Sequence, residues 1–209
     1  MRVDHYNRLV GSLTGYQCSN CLNKGVIALH KNGDFEMKPC SCMKTRETLE
    51  RIHTSGLSDL LRRCSFQAYE TSEPWQEQLK NIAVRFAKSD AVGLFFGGQT
   101  GCGKTHLCTA VVGYKIRQGM SARYLVWRDD SPILKSMVND PQYATLMNDY
   151  KQIDCLYIDD LFKTSEHGVI TDADVKLAFE LIDYRARNQL CTIISTQLTD
   201  KELIDVDEA

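Results

Sequence analysis

The apolar positions of the chain follow two periods. From about residue 91 onward, short unbroken apolar runs alternate with stretches in which apolar residues recur every three to four positions. Val92-Gly93-Leu94-Phe95-Phe96, Ala122 to Trp127, Ile153 to Ile158 and Leu190 to Ser195 read as strands buried on both faces, because they lack the polar alternation of a half-exposed strand. Lys104 to Arg117, closed by Gly119, and Asp172 to Asn188 read as helices. Residues 131–150 hold one or two more, interrupted near Asp140-Pro141. Strands alternating with helices predict an α/β fold over residues 91–209, with a parallel sheet flanked by helices on both faces.

Residues 44–90 form a bridge of helical character. Helical patterns cover Met43 to Ile52 and Leu57 to Arg63, Ser65-Phe66-Gln67-Ala68-Tyr69 looks extended, and Pro74 opens a helix to about Lys88. Leu79, Ile82, Ala83 and Phe86 make its apolar stripe. Residues 1–43 differ, with many turn formers and little long periodicity. Val26-Ile27-Ala28-Leu29-His30 and Phe35-Glu36-Met37 flank Lys31-Asn32-Gly33-Asp34, which predicts a hairpin turning at Asn-Gly. Two short strands bury too little to fold alone, so this segment needs a staple.

The cysteines supply one. Nine cysteines, an odd number, argue against a complete disulfide framework. Cys18-x-x-Cys21 and Cys40-x-Cys42 bracket the predicted hairpin, which would bring two close pairs together. Four thiolates so paired match a tetrahedral structural Zn²⁺ site, with His30 as a substitute for one ligand; metal-free thiols and disulfides are the alternatives. A full set of four leaves no open position for catalysis. The scattered Cys64, Cys108, Cys155 and Cys191 read as small packing hydrophobes.

Composition narrows the class. With 43% hydrophobic and 25% charged residues, the chain is neither disordered nor low-complexity. No apolar run approaches ~18 residues, and the first thirty lack the apolar block of a secretory signal, so a cytoplasmic protein without a membrane partner is expected. Residues 1–64 carry ten Lys/Arg against six Asp/Glu, whereas the remainder is acidic. A basic small module on an acidic larger one is compatible with a nucleic-acid contact or with plain solvated faces.

The strongest chemical signal is Gly98-Gln99-Thr100-Gly101-Cys102-Gly103-Lys104-Thr105, which matches G-x-x-x-x-G-K-[ST] between an apolar strand and a helix. Glycines let main-chain N–H groups converge on a phosphate, and the following helix adds its positive end. Lys104 would reach the β/γ-phosphates of ATP, and the Thr105 hydroxyl would bind Mg²⁺. Cys102 occupies a loop position that any small residue would fit. Downstream, Cys155-Leu156-Tyr157-Ile158-Asp159-Asp160 ends a buried strand in two carboxylates at the sheet edge facing the loop. Asp159 is expected to hold Mg²⁺ through water, and Asp160 to orient or deprotonate the attacking water. Ser195-Thr196-Gln197 ends the next strand, where a polar side chain could touch the γ-phosphate.

Taken together, these passages resemble the helicase-loader ATPases of bacteria and their phages, the DnaC and DnaI type within the AAA+ superfamily. The cysteine pairs resemble the amino-terminal zinc module of the DnaI branch. Cys64 to Tyr69 resembles the lead-in to the ATPase, Phe95 through Leu107 (including His106 of the nucleotide-binding set) the first strand and phosphate loop, and Ile158 to Phe162 the second nucleotide motif. Leu181 to Arg185 followed by Thr192 to Thr196 resembles the helix and strand around the first sensor. The resemblance implies a zinc-binding module at 1–43, a bridge at 44–90 and an AAA+ ATPase core at 91–209. It implies Mg²⁺-dependent ATP hydrolysis in the service of DNA replication. Its implied partners are a replicative hexameric helicase, single-stranded DNA, further copies through the ATPase modules, and an initiator protein. Gln197 falls where the sensor is usually Asn, and Asp160 where many AAA+ proteins have Glu. The family's trans-acting arginine belongs beyond Ala209, which implies slow hydrolysis by the chain alone. A transposition-helper ATPase shares much of this core, a small-molecule P-loop kinase would need a lid sequence after Asp160, and a docking module with a structural nucleotide would show no turnover. Arg185 and Arg187 read as solvated helix charges or as contacts for a neighbour or DNA.

Overall fold

In the computed structural model, residues 3–31, 34–164 and 169–207 are described. The chain divides into two compact units, Met1–Glu50 and Arg51–Ala209.

In the first unit, α1 (Val3–Arg8) precedes β1 (Val26–Lys31) and β2 (Asp34–Pro39), and α2 (Cys42–Thr54) leads out of it. The two strands pair antiparallel from Val26↔Pro39 to Lys31↔Asp34. The expected Asn32-Gly33 turn lies outside the described residues. Helix α1 is absent from the periodicity reading because six residues are too few to show a period. It is held instead by Asn7, whose side-chain amide bonds both the carbonyl and the N–H of Ala28 on the outer edge of β1 (2.9 and 3.0 Å).

The second unit contains α3 (Ser58–Arg63), α4 (Pro74–Lys88), β3 (Gly93–Phe96), α5 (Lys104–Arg117), β4 (Ala122–Val126), α6 (Trp127–Ser136), α7 (Pro141–Gln152), β5 (Cys155–Leu161), α8 (Asp172–Arg187), β6 (Cys191–Thr196) and α9 (Asp200–Asp207). Four parallel strands stand in the order β3-β6-β5-β4. Alternation along the strands sorts the core into two layers. Leu94, Phe96, Ala122, Cys155, Tyr157, Cys191 and Ile193 meet α3, α4 and α5 on one face. Leu125, Leu156, Ile158 and Leu161 meet α6, α7 and α8 on the other. Cover is incomplete at the β3 edge, where Phe95 remains 42% exposed.

Several expectations are corrected. Ser65 to Tyr69 is a turn rather than an extended segment, because the Ser65 carbonyl accepts the Tyr69 N–H (3.2 Å) and its hydroxyl accepts the Ala68 N–H (3.1 Å). Ile82 lies outside the buried stripe of α4, which is made by Ala83, Phe86 and Ala87 with Leu79 packed partly against it. Trp127 begins α6 instead of ending β4, and β5 runs three residues past Ile158. Helix α9 has a capping pattern the periodicity reading missed: the Thr199 N–H and hydroxyl both bond the Glu202 carboxylate (2.7 and 2.8 Å).

Arg185 is the largest correction. Instead of facing solvent, a neighbour or DNA, it is fully buried and donates to the carbonyls of Tyr150, Lys151, Ile153 and Cys191 and to the Thr192 hydroxyl, at 2.7–3.0 Å. A guanidinium has five donors in a fixed fork, so one side chain ties the end of α7 to β6 from within α8. Burial lowers its pKa to about 10, so the group remains charged at neutral pH. Arg187 is exposed and pairs with Asp183, as a solvated helix charge does.

Candidate functional site

The phosphate-loop sequence folds as its glycines require. Gly98, Gly101 and Gly103 have φ of 125°, 87° and 88°, a region costly for any residue with a Cβ. At Gly103, the N-cap of α5, a Cβ would also lie 2.5 Å from the Tyr69 ring. Tyr69 braces the loop by donating its hydroxyl to the Cys102 carbonyl (3.1 Å), and its ring meets the His106 ring edge-on. His106 in turn bonds the Ser65 carbonyl at 2.8 Å. The corrected turn at Ser65–Tyr69 is therefore the back wall of the loop. Lys104 is buried, and its ammonium donates to the carbonyls of Gly98 (2.6 Å) and Gln99 (2.7 Å).

Thr105, one residue into α5, donates to Asp159 Oδ1 across 3.2 Å. The same carboxylate accepts from Tyr157 (2.7 Å), from Ser195, and on Oδ2 from Tyr124 (2.6 Å). Three of these hydroxyls converge on Oδ1 and one reaches Oδ2, which fixes the orientation of the buried carboxylate and leaves Oδ2 an open acceptor position. The Asp159 charge also raises the pKa of Tyr124, after burial, which is the larger cause. Both tyrosines stay protonated donors.

β5 gains one residue relative to β6 between Ile158↔Ile194 and Leu161↔Thr196. Alternation from Tyr157 keeps Asp159 on the α5 face, and the bulge re-aims Asp160, whose φ is +53°. The Asp160 N–H donates to Ser195 Oγ (3.1 Å), and its carboxylate receives Lys163 Nζ at 2.6 Å. Thr100, Gly101, Gly103, Lys104, Thr105, His106, Asp160, Lys163 and Gln197 line one cleft of about 230 Å³. The structure thus gathers Lys104, Thr105, His106, Asp160 and Gln197 at one opening, with Asp159 directly behind Thr105. Of the polar end of β6, Ser195 and Thr196 are buried and turned inward, and Gln197 alone reaches the cleft.

Tyr124, Tyr157 and Lys163 are contributors that motif reading missed, and Ser195, placed by that reading at the γ-phosphate edge, instead bonds Asp159 from within the core. Tyr157 was legible, since it lies two residues before Asp159 and hence on the same face. Tyr124 becomes a neighbour only through the Tyr124↔Tyr157 register.

In the first unit, the Sγ atoms of Cys18, Cys21, Cys40 and Cys42 all lie within 4.8 Å of one another. Cys18–Cys40 and Cys21–Cys42 are 3.8 and 3.6 Å apart. A tetrahedron with Zn–S bonds of ~2.3 Å has edges of about 3.8 Å, whereas a disulfide needs ~2.05 Å. The four cysteines therefore fit a metal. Around them, the Gly25 N–H and the Asn20 side-chain amide point at Cys21 and Cys40 sulfurs (3.3 and 3.5 Å), donors that favour thiolates. Burial works against charge on both Cys21 and Cys42; the Gly25 amide and the neighbouring thiols lower Cys21, while Cys42, sharing a proton with it, is pushed up. His30 is exposed on β1 and stands outside the group, which corrects its role as a substitute ligand. Among the described residues, no helix is long and apolar enough to cross a membrane.

The chain is similar to several known proteins. The phage-like element PBSX protein XkdC of Bacillus subtilis is 29% identical over 210 residues, covering 93% of this chain and 76% of that protein. The replicative helicase loader DnaC of Buchnera aphidicola from Acyrthosiphon pisum is 25% identical over 167 residues, 76% of this chain and 64% of that protein. The crystal structure of DnaI superimposes with a TM-score of 0.60 at 19% identity, over 71% of this chain and 79% of that one, a likeness of fold. The family described as IstB-like ATP binding protein matches residues 44–206, the whole span that builds the cleft and its bracing turn, and the chain belongs to that family, the IstB/DnaC ATP-binding proteins.

Proposed function

We propose that this protein is an ATP-controlled loader that places a ring-shaped replicative helicase on single-stranded DNA. The observation that carries the reading is the Thr105–Asp159 link at 3.2 Å, which joins the phosphate loop to the carboxylates at the end of β5. Lys104, turned from the Gly98 and Gln99 carbonyls, would pair with the β/γ-phosphates, and loop N–H groups would take the remaining oxygens. Thr105 and Asp159 would hold Mg²⁺, which offsets phosphate charge when bound. Asp160 would accept from or orient the attacking water, with Gln197 steadying the terminal phosphate. No arginine lines the cleft among the described residues. Hydrolysis by a lone chain is accordingly slow, since an arginine supplied by a neighbouring copy is worth ~10³–10⁵ in rate.

The relatives named as helicase loaders favour a helicase over a transposase as the partner. The chain spans only 64% of one such relative, so the loading role is tested directly. Tagged protein with ATP should co-purify with a hexameric helicase from a host lysate, and anisotropy should detect single-stranded DNA binding that weakens with salt. Recovery of a transposase instead, or the lack of any DNA binding at low salt, would refute the corresponding part.

The cysteine group is proposed to hold a structural Zn²⁺, with the basic module as the contact for partners. Metal analysis should find one Zn²⁺ per chain. Binding energies of ~10–16 kcal/mol for such sites exceed what a two-stranded hairpin supplies, so strong chelation should unfold residues 3–50. Retention of amide-exchange protection at Ala28 and Cys40 after zinc removal would show that the metal is dispensable.

A further inference from the structure

Lys163 contributes the second ammonium group in the lining of the nucleotide cleft, and neither the motif nor the family match assigns it a task. Its Nζ lies 2.6 Å from Asp160 Oδ2, and its N–H closes a tight turn on the Asp160 carbonyl (2.9 Å). The turn is firmly seated. Phe162, at φ +63°, packs edge-on against Trp127, and the Leu161 carbonyl accepts the Thr196 hydroxyl at 2.7 Å. The ion pair itself is looser, because the side chains of Lys163 and Asp160 keep 32% and 25% of their exposure. Solvent-screened pairs of this kind are weak and exchange readily. Lysine is a point charge on a flexible four-carbon stem, able to change anions without moving its backbone.

We propose that Lys163 is a γ-phosphate sensor that exchanges Asp160 for the terminal phosphate of ATP. This deepens the nucleotide reading above and rests on it. In that reading Lys104 serves the phosphates nearest the loop, and Asp160 stands at the attacking-water side of the terminal one. A terminal phosphate in the same cleft carries more charge than one carboxylate and draws Lys163 away from Asp160. ADP ends one phosphate short and leaves the pair intact. The exchange therefore does two things with one side chain. It makes ATP bind better than ADP, and it frees the Asp160 carboxylate to engage water only when there is a phosphate to transfer.

The test is equilibrium binding of Mg²⁺ with ADP and with a nonhydrolysable ATP analogue to the full chain. Lys163→Met should weaken the analogue about tenfold and change ADP by less than twofold, and Lys163→Arg should restore most of the loss. Asp160→Asn should raise the preference for the analogue, and by more when Lys163 is present than in the double variant. Equal weakening of both nucleotides in Lys163→Met, or no weakening of either, overturns the sensor. Equal effects of Asp160→Asn in the two backgrounds overturn the exchange. If the wild-type protein binds neither nucleotide, the underlying nucleotide reading falls and takes this inference with it; if it binds both while Lys163→Met is silent, only the inference falls.

Discussion

Arg185→Met should lower the stability of the second unit by about 3–5 kcal/mol, a fall in melting temperature of roughly 10 °C for a unit of this size. Methionine fills a similar volume, so the loss is not one of packing. It arises because the carbonyls of Tyr150, Lys151, Ile153 and Cys191 keep their burial and lose their donor. Arg185→Lys should rescue little. One ammonium has three donors on a tetrahedral centre and cannot serve acceptors spread from the end of α7 to β6. Thermal and urea unfolding of the two variants checks this. Wild-type stability in Arg185→Met would mean that the carbonyls find water when the guanidinium leaves.

Arg185 also shows where sequence reading stops. Its spacing on α8 resembles that of Arg187, two residues on, and nothing local separates a charge that faces water from one that satisfies carbonyls inside. Only the meeting of α7, α8 and β6 decides it. The alternating runs behind β3 to β6 and the helix at Lys104–Arg117 were legible, because burial on both sheet faces imposes unbroken apolar strands and the phosphate loop imposes its glycines. The Ser65–Tyr69 turn was not, since its shape is set by a serine bonding its own backbone. The bulge at Asp159–Asp160 was not either: one extra residue against β6 changes no residue type, yet it determines that both carboxylates serve the same edge of the sheet. Tyr124 needed the strand order before it could be seen as a partner of Asp159. The four cysteines declared their grouping by spacing, and the distances around them supplied the fit to a metal.

Lys104→Ala should reduce affinity for ATP by at least about a hundredfold while leaving the melting temperature near that of the wild type. The affinity loss follows from removing the ammonium that the loop itself encloses, because charge-assisted bonds to a phosphate are about twice as strong as neutral ones. Stability is spared because the ammonium's acceptors are the carbonyls of Gly98 and Gln99, at the rim, where Gln99 is exposed and water replaces the donor. Titration calorimetry of the two proteins, with melting curves as the control, separates the two effects. Unchanged affinity would remove Lys104 from the phosphate site.

Nucleotide control of this protein requires a magnesium–triphosphate held between the Gly98–Thr105 loop and Asp159. Titration of the protein with a nonhydrolysable ATP analogue, with and without Mg²⁺ and in parallel on Asp159→Asn, tests that most directly. The predicted result is one site per chain, with binding strengthened by Mg²⁺ in the wild type and almost insensitive to it in Asp159→Asn. No saturable binding, or the same response to Mg²⁺ in both proteins, would contradict it.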